Sequence, residues 1–249
     1  MYALRTRIKK DIVAEFLPPT RATKKQKVII FCDGMPAMPS KGLLMEFFSK
    51  KGYWVFYPRY RGSWESGGEF LKISPTQDVL DLISALPKGF VSLWDNRKYK
   101  VNPDKIYVFG ISFGGPAAIL SSLDRRVTRA IAISPVVDWR EDKYEPLDWA
   151  YRFTKEAFGG GYRLKKTAWQ KLARGNFYNP IKHTAELDGE KLFIIHAKDD
   201  KVVPFGPTKK FAEKIGATFV PLVRGGHLSS SILIKRKNIY KKLQKFLKS

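Results

Sequence analysis

Cysteine is almost missing from this sequence. Cys32 is the only one in 249 residues, which excludes a disulfide within the chain and suits a reducing compartment. Histidine is scarce too: His183, His196 and His227 are the only candidates for chemistry that needs an imidazole. Long apolar runs are absent, since "KVIIF", "YWVFY", "KIYVFG", "RAIAI" and "KLFIIHA" all fall far short of the roughly 20 residues that cross a bilayer. The opening "MYALRTRIKKDIVAEF" carries no apolar segment leading to a small-residue cleavage site, so no secretory leader is expected and a cytoplasmic location is. Acidic residues are few, 23 against 46 Lys and Arg, for a formal charge of +23. A field of that size attracts anions non-specifically. The cations are spread along the whole chain, however, which reads as a solubilising surface, and no specific nucleic-acid partner is expected.

What is present suffices for a sizeable core, with 44% hydrophobic and 14% aromatic residues. After an initial strand-like stretch, short apolar runs alternate with segments of helical periodicity. "KKQKVIIFCDG" leads to "KGLLMEFFSKKG", and "YWVFYP" to "SPTQDVLDLISAL", where Ser74 can cap a helix opened by Pro75. "DKIYVFG", "GGPAAILSSL" and "VTRAIAISP" continue the pattern, and so do "EKLFIIHA", "GPTKKFAEKIG" and "ATFVPLV". Uniformly apolar strands separated by helices predict a mostly parallel sheet covered on both faces. In "IKRKNIYKKLQKFLK", Ile239, Leu243, Phe246 and Leu247 share one helical face, which predicts a docked surface helix, with a basic membrane contact as the alternative. Residues 138–182 break the rhythm with many aromatics and the triplet Gly159–Gly160–Gly161; a helical cap is expected there, over the carboxyl ends of the strands.

The chemistry-bearing stretch is "YVFGISFGGPAAIL". Gly110-Ile111-Ser112-Phe113-Gly114 fits G-x-S-x-G between a strand and a helix, where a nucleophile stands exposed on a strained turn. The helix that follows directs its amino end, with the Phe113 N–H, toward developing negative charge. A serine needs a base, and His227 in "LVRGGHLSS" follows the last strand with two glycines freeing it to project. His196 lies within an apolar strand and His183 reads as a surface or packing residue. The orienting carboxylate is expected between serine and histidine in chain order; spacing leaves Asp199, Asp200 and Asp138 open. Gly34-Met35 is placed to supply a second oxyanion donor, the Met35 amide. Cys32, beside that turn, reads as a small buried apolar residue. No His/Cys/Asp cluster has metal-ligand spacing, so neither metal nor cofactor is expected.

From about residue 27 onward the chain resembles the α/β-hydrolase superfamily, and within it the catalytic domain of the prolyl oligopeptidase and acylaminoacyl-peptidase family. The resemblance rests on "YPRYRGSWESGGEF", "GISFGG", "ISPVVDW" and "NPIKHTAELDGEKLFIIHAKDDKVVP". Aligning Val203-Pro204 with the family's V-P implies that the acid is Asp200. The chain departs from the pattern at Asp33-Gly34 and His196-Ala197, where relatives carry His-Gly. Only about 26 residues precede the match, so one α/β-hydrolase domain over 1–249 is expected, without the family's propeller. The expectation is a serine hydrolase of the carboxylic-ester class acting on a small ester or short peptide. Ser112, His227 and Asp200 would form the triad, Met35 and Phe113 the oxyanion hole, and Trp64 and Trp139 part of the acyl pocket. The alternatives are an aminopeptidase or acylpeptidase, drawing on Glu65, Glu69, Glu141 or Asp142 to hold an amine, and a non-catalytic basic binding protein on the same fold.

Overall fold

The computed structural model describes residues 2–21, 24–140 and 147–248. Eight strands form its main sheet: β1 (Leu4–Ile8), β2 (Ile12–Leu17), β3 (Lys27–Cys32), β4 (Tyr53–Pro58), β5 (Lys105–Ile111), β6 (Val127–Ile133), β7 (Leu192–Ala197) and β8 (Thr218–Leu222). Their spatial order is β1-β2-β4-β3-β5-β6-β7-β8. Pairing is antiparallel from β1 to β2 and from β2 to β4, and parallel everywhere else in the sheet. The apolar runs reflect this position, because successive side chains face opposite ways and both faces are covered. In β3, Val28, Ile30 and Cys32 join one apolar cluster while Ile29 and Phe31 join the other; in β5, Val108 and Phe109 divide the same way.

One face is covered by α1 (Gly42–Ser49), α7 (Ile232–Lys235) and α8 (Lys237–Lys248), through Met45, Phe48, Leu233 and Leu243. The other is covered by α2 (Pro75–Ala85), α3 (Gly114–Ser121) and α6 (Phe205–Ile215), through Val79, Leu82, Ala117 and Phe211. Local chemistry starts and stops these helices as the sequence predicts. The Ser74 hydroxyl accepts from Thr76 N at 3.3 Å with Pro75 opening α2. Ile239, Leu243, Phe246 and Leu247 are the buried residues of α8, which is therefore docked on the sheet. Among the described residues no helix is long and apolar enough to cross a membrane.

Between β6 and β7 lie α4 (Leu147–Phe158), a single 3-10 turn at Gly159–Gly161 and α5 (Lys166–Ala173). Backbone bonds tie this segment to the loop after β4: Trp64 N–H donates to Gly161 O at 2.8 Å and Arg163 N–H to Gly62 O at 2.7 Å. The loop after β4 is anchored in turn by Arg61, whose guanidinium reaches Asp11 at 2.7 Å, Asp78 at 2.5 Å and Asp81 at 2.7 Å.

Candidate active site

Ser112 sits between the end of β5 and the start of α3 with φ 52, a left-handed conformation that costs a residue with a Cβ of order 1–3 kcal/mol. Three backbone bonds hold it there. Its N–H donates to Ile133 O at 2.9 Å, and its carbonyl accepts from Gly115 N at 2.9 Å and Val136 N at 3.3 Å. The flanking glycines are required by close approach. A Cβ on Gly110 would fall 2.1 Å from Gly114 O, and one on Gly114 would fall 2.4 Å from the carbonyl oxygens of both Cys32 and Asp33. Strand, elbow and the loop after β3 therefore touch backbone to backbone around the serine.

Asp200 follows β7. Its Oδ1 accepts from the amides of Val202 at 2.9 Å and Val203 at 3.0 Å, and its Oδ2 lies 2.9 Å from His227 Nδ1. Burial alone would raise this carboxyl's pKa, but hydrogen bonds from His196, His227 and the Val203 amide outweigh it and hold the group well below the usual carboxylate range. An ionised Asp200 puts the proton of His227 on Nδ1 and leaves Nε2 as the basic nitrogen. The adjacent Asp199 plays a different part. Its Oδ1 accepts from Gly225 N and Gly226 N, both at 2.9 Å, which pins the loop that presents His227. Asp138 is turned away, bonded to Asn179 Nδ2 at 2.8 Å and Arg140 N at 3.1 Å. Among the described residues no hydrogen bond joins Ser112 Oγ to His227; such contacts are commonly long until substrate binds.

Two further residues of this corner carry no signal of their own in the sequence. His196 is wholly buried on β7, and its Nε2 lies 3.1 Å from Asp200 Oδ2 and 2.9 Å from Val203 O. Both neighbours are acceptors, so Nε2 carries the proton and the buried Nδ1 is left without a partner. Its place on a buried strand is as the sequence reads; its contact with the acid is additional. Ser134, at φ 43 just past β6, accepts from Leu228 N at 3.3 Å and so supports the residue after His227. His183 pairs instead with Glu186 at 3.0 Å on an exposed turn.

Neither the Met35 nor the Phe113 N–H donates to any acceptor among the described residues. Both residues line one cleft together with Ser112, Trp139, Trp149 and Trp169, and among the described residues no ionisable side chain lines it. Trp64 does not line this cleft. Its Nε1–H donates to Ala37 O at 3.2 Å and its ring packs edge-on against Tyr162 and Phe158, around a neighbouring small cavity. The carboxylates considered as amine holders are engaged elsewhere: Glu65 with Arg5 at 3.1 Å and Arg59 at 3.3 Å, and Glu69 with Lys165 at 2.8 Å. Glu141 and Asp142 lie outside the described residues. Cys32 is buried, which pushes its thiol pKa up and keeps it protonated. Among the described residues no group of three His, Cys, Asp or Glu could hold a metal ion.

A profile of the prolyl oligopeptidase family matches residues 40–225, a stretch that includes Ser112 and Asp200 and stops short of His227. No curated protein matches. Among solved structures, the chain is similar to the Pyrococcus horikoshii acylaminoacyl peptidase, with 20% identity over 99% of this chain and 41% of that one, and a TM-score of 0.66. It thus spans about two fifths of that peptidase's length. The Pyrococcus furiosus esterase Pf2001 is 16% identical over 99% of this chain and 90% of its own, with a TM-score of 0.70. Est1E from Butyrivibrio proteoclasticus, solved with ferulic acid bound, is 16% identical over 99% of this chain and 100% of its own, with a TM-score of 0.71. These likenesses establish the α/β-hydrolase fold.

Proposed function

We propose that this chain, which belongs to the prolyl oligopeptidase family and is a hydrolase of the α/β type, cleaves carboxylic esters through an acyl-enzyme on Ser112. Ser112 Oγ attacks the acyl carbon while His227 Nε2 takes its proton, and the same nitrogen returns that proton to the departing alkoxide. Water then repeats the sequence on the acyl-serine and regenerates the free hydroxyl. Asp200 holds the imidazole in the required tautomer and stabilises its charged form; the 2.9 Å contact to Nδ1 supports this role. The amides of Met35 and Phe113 receive the developing oxyanion, and the amino end of α3 adds its dipole.

The observation that carries the ester reading is the cleft beside Ser112. It is walled by Trp139, Trp149 and Trp169, and among the described residues no carboxylate lines it to balance a substrate ammonium. Apolar and aryl acyl groups fit such walls, and a free α-amine left unpaired among them would cost several kcal/mol. An N-acylated peptide has no charge at that end, so acylpeptidase action is the second reading; the same cleft and the likeness to acylaminoacyl peptidase support it.

Three substrate types separate these readings: aryl-acyl 4-nitrophenyl esters, N-acylaminoacyl anilides and free-amine aminoacyl anilides. Hydrolysis should be fastest on the esters, with Ser112→Ala removing it. Anilide turnover matching the esters would favour the acylpeptidase, and a preference for the free amine would contradict both readings.

A further inference from the structure

Asp33 stands at the start of the loop that carries the Met35 amide, and a carboxylate there raises an electrostatic difficulty. The acyl oxygen becomes negative beside this loop, and a nearby uncompensated anion would oppose that charge. The loop is close to the serine: a Cβ built on Gly34 would lie 3.5 Å from Ser112 Cβ. The surroundings of Asp33 answer the difficulty. Its Oδ1 is 2.7 Å from Lys41 Nζ and accepts from Gly34 N at 2.9 Å, and its Oδ2 accepts from the Tyr57 hydroxyl. Its main-chain oxygen accepts from the Tyr60 hydroxyl at 3.0 Å. Lys41 occupies the residue just before α1, and its ammonium lies 5.5 Å from the centre of the Tyr57 ring. Both members of the ion pair are largely shielded, with side chains 12% and 13% exposed, so their charges act on each other and on the site with little screening by water.

We propose that Asp33 and Lys41 are a neutral positioning pair for the oxyanion hole. Asp33 fixes the Gly34–Met35 peptides through four hydrogen-bonded or ionic contacts. Lys41 cancels the field that the fixing carboxylate would otherwise impose on the oxyanion. Neither residue lines the cleft beside Ser112. Ala37, farther along the same loop, is held separately: its N–H donates to the Tyr162 hydroxyl at 3.0 Å and its carbonyl accepts from Trp64. The pair therefore governs the part of the loop nearest Met35.

This assignment rests on the serine-hydrolase reading above, and its signature is one that a merely structural ion pair would not give. Lys41→Met leaves the carboxylate uncompensated, so kcat for an aryl ester should fall about 10–10²-fold while KM changes little. Adding Asp33→Asn to Lys41→Met removes the stray charge and keeps one acceptor oxygen for Gly34 N, with the amide nitrogen facing the Tyr57 hydroxyl oxygen as a donor, so the double variant should regain about tenfold in kcat. Asp33→Ala, which removes the acceptors as well, should stay low. A folded Lys41→Met variant with wild-type kcat, or a double variant no faster than Lys41→Met, overturns the pair. Should Lys41→Met fail to fold, the double variant still has to exceed Asp33→Ala in kcat, and equality of those two overturns it. Wild-type protein with no reactive serine toward a fluorophosphonate probe would overturn the underlying reading and this assignment together, whereas reactive wild type with unaffected variants overturns only the assignment.

Discussion

Asp200 is the residue on which most of the corner converges, since two histidine nitrogens and two backbone amides meet its carboxylate. Its folded pKa lies below the ordinary value near 4, so the unfolded chain takes up the proton first. The stability it contributes is full above about pH 4 and is lost as pH falls through the lower folded value. Asp200→Asn cannot titrate, so the melting-temperature advantage of wild type over this variant should shrink as pH is lowered from about 5 to 2. A constant difference would mean that the carboxylate is not held ionised. In activity the same variant should lose about 10⁴ in kcat, because an amide favours the wrong tautomer of His227. At this scale the sequence was informative about type and weak about direction. Asp199 and Asp200 are indistinguishable by spacing; the family resemblance implies Asp200, and in the structure Asp199 turns toward the Gly225 and Gly226 amides while Asp200 turns toward His227. The meeting of His196 with Asp200 depends on the turn after β7 folding back four residues, a feature no composition or period reports.

At the scale of elements, the strand-elbow-helix unit β5–α3 was the most legible part. Its glycines are explained by carbonyl oxygens closer than any Cβ allows. Gly114→Ala should push against the Cys32 and Asp33 carbonyls, lowering the melting temperature and abolishing serine reactivity together. Gly160→Ala meets nothing within 4 Å, so its stability should stay within about 0.5 kcal/mol of wild type in denaturant titration. Equal behaviour of the two would contradict the close packing of the elbow. The central strands β3, β5 and β7 were readable because they are buried on both faces and so appear as unbroken apolar runs, unlike the edge strands β1 and β8. The two-stranded ribbon of Phe90–Val91 with Lys98–Tyr99 was not, because two residues a strand are too few to show a period. Trp64 lines the small cavity beside the cleft rather than the cleft itself, and its hydrogen bond to Ala37 also braces the loop after β3.

For the whole molecule, a mostly parallel sheet covered on both faces follows from the uniformly apolar strands in the sequence, while the strand order and the placement of the segment between β6 and β7 required the fold. Its aromatics divide between lining the cleft and packing the segment down: Trp169 faces the cleft, whereas Phe158 packs on Trp64 and Tyr162. The charge of +23 has no counterpart among the described residues that line the cleft, none of which is ionisable. Lys237, Lys241, Lys242, Lys245 and Lys248 are all exposed on α8, while the apolar side of that helix is buried against the sheet. Binding to duplex DNA should accordingly be weak and non-specific, with retention at 50 mM salt lost by about 200 mM. Tight retention that ignores salt would point to a dedicated interface.

The central claim is that Ser112 is an activated nucleophile with His227 as its base. The most direct measurement is covalent labelling by a fluorophosphonate probe of wild type, Ser112→Ala and His227→Ala, each verified as folded by circular dichroism. The expected result is rapid labelling of wild type at Ser112, none of Ser112→Ala, and a rate for His227→Ala reduced by at least about 10³-fold. Labelling that persists in Ser112→Ala, or folded wild type that takes up no probe, would contradict the account.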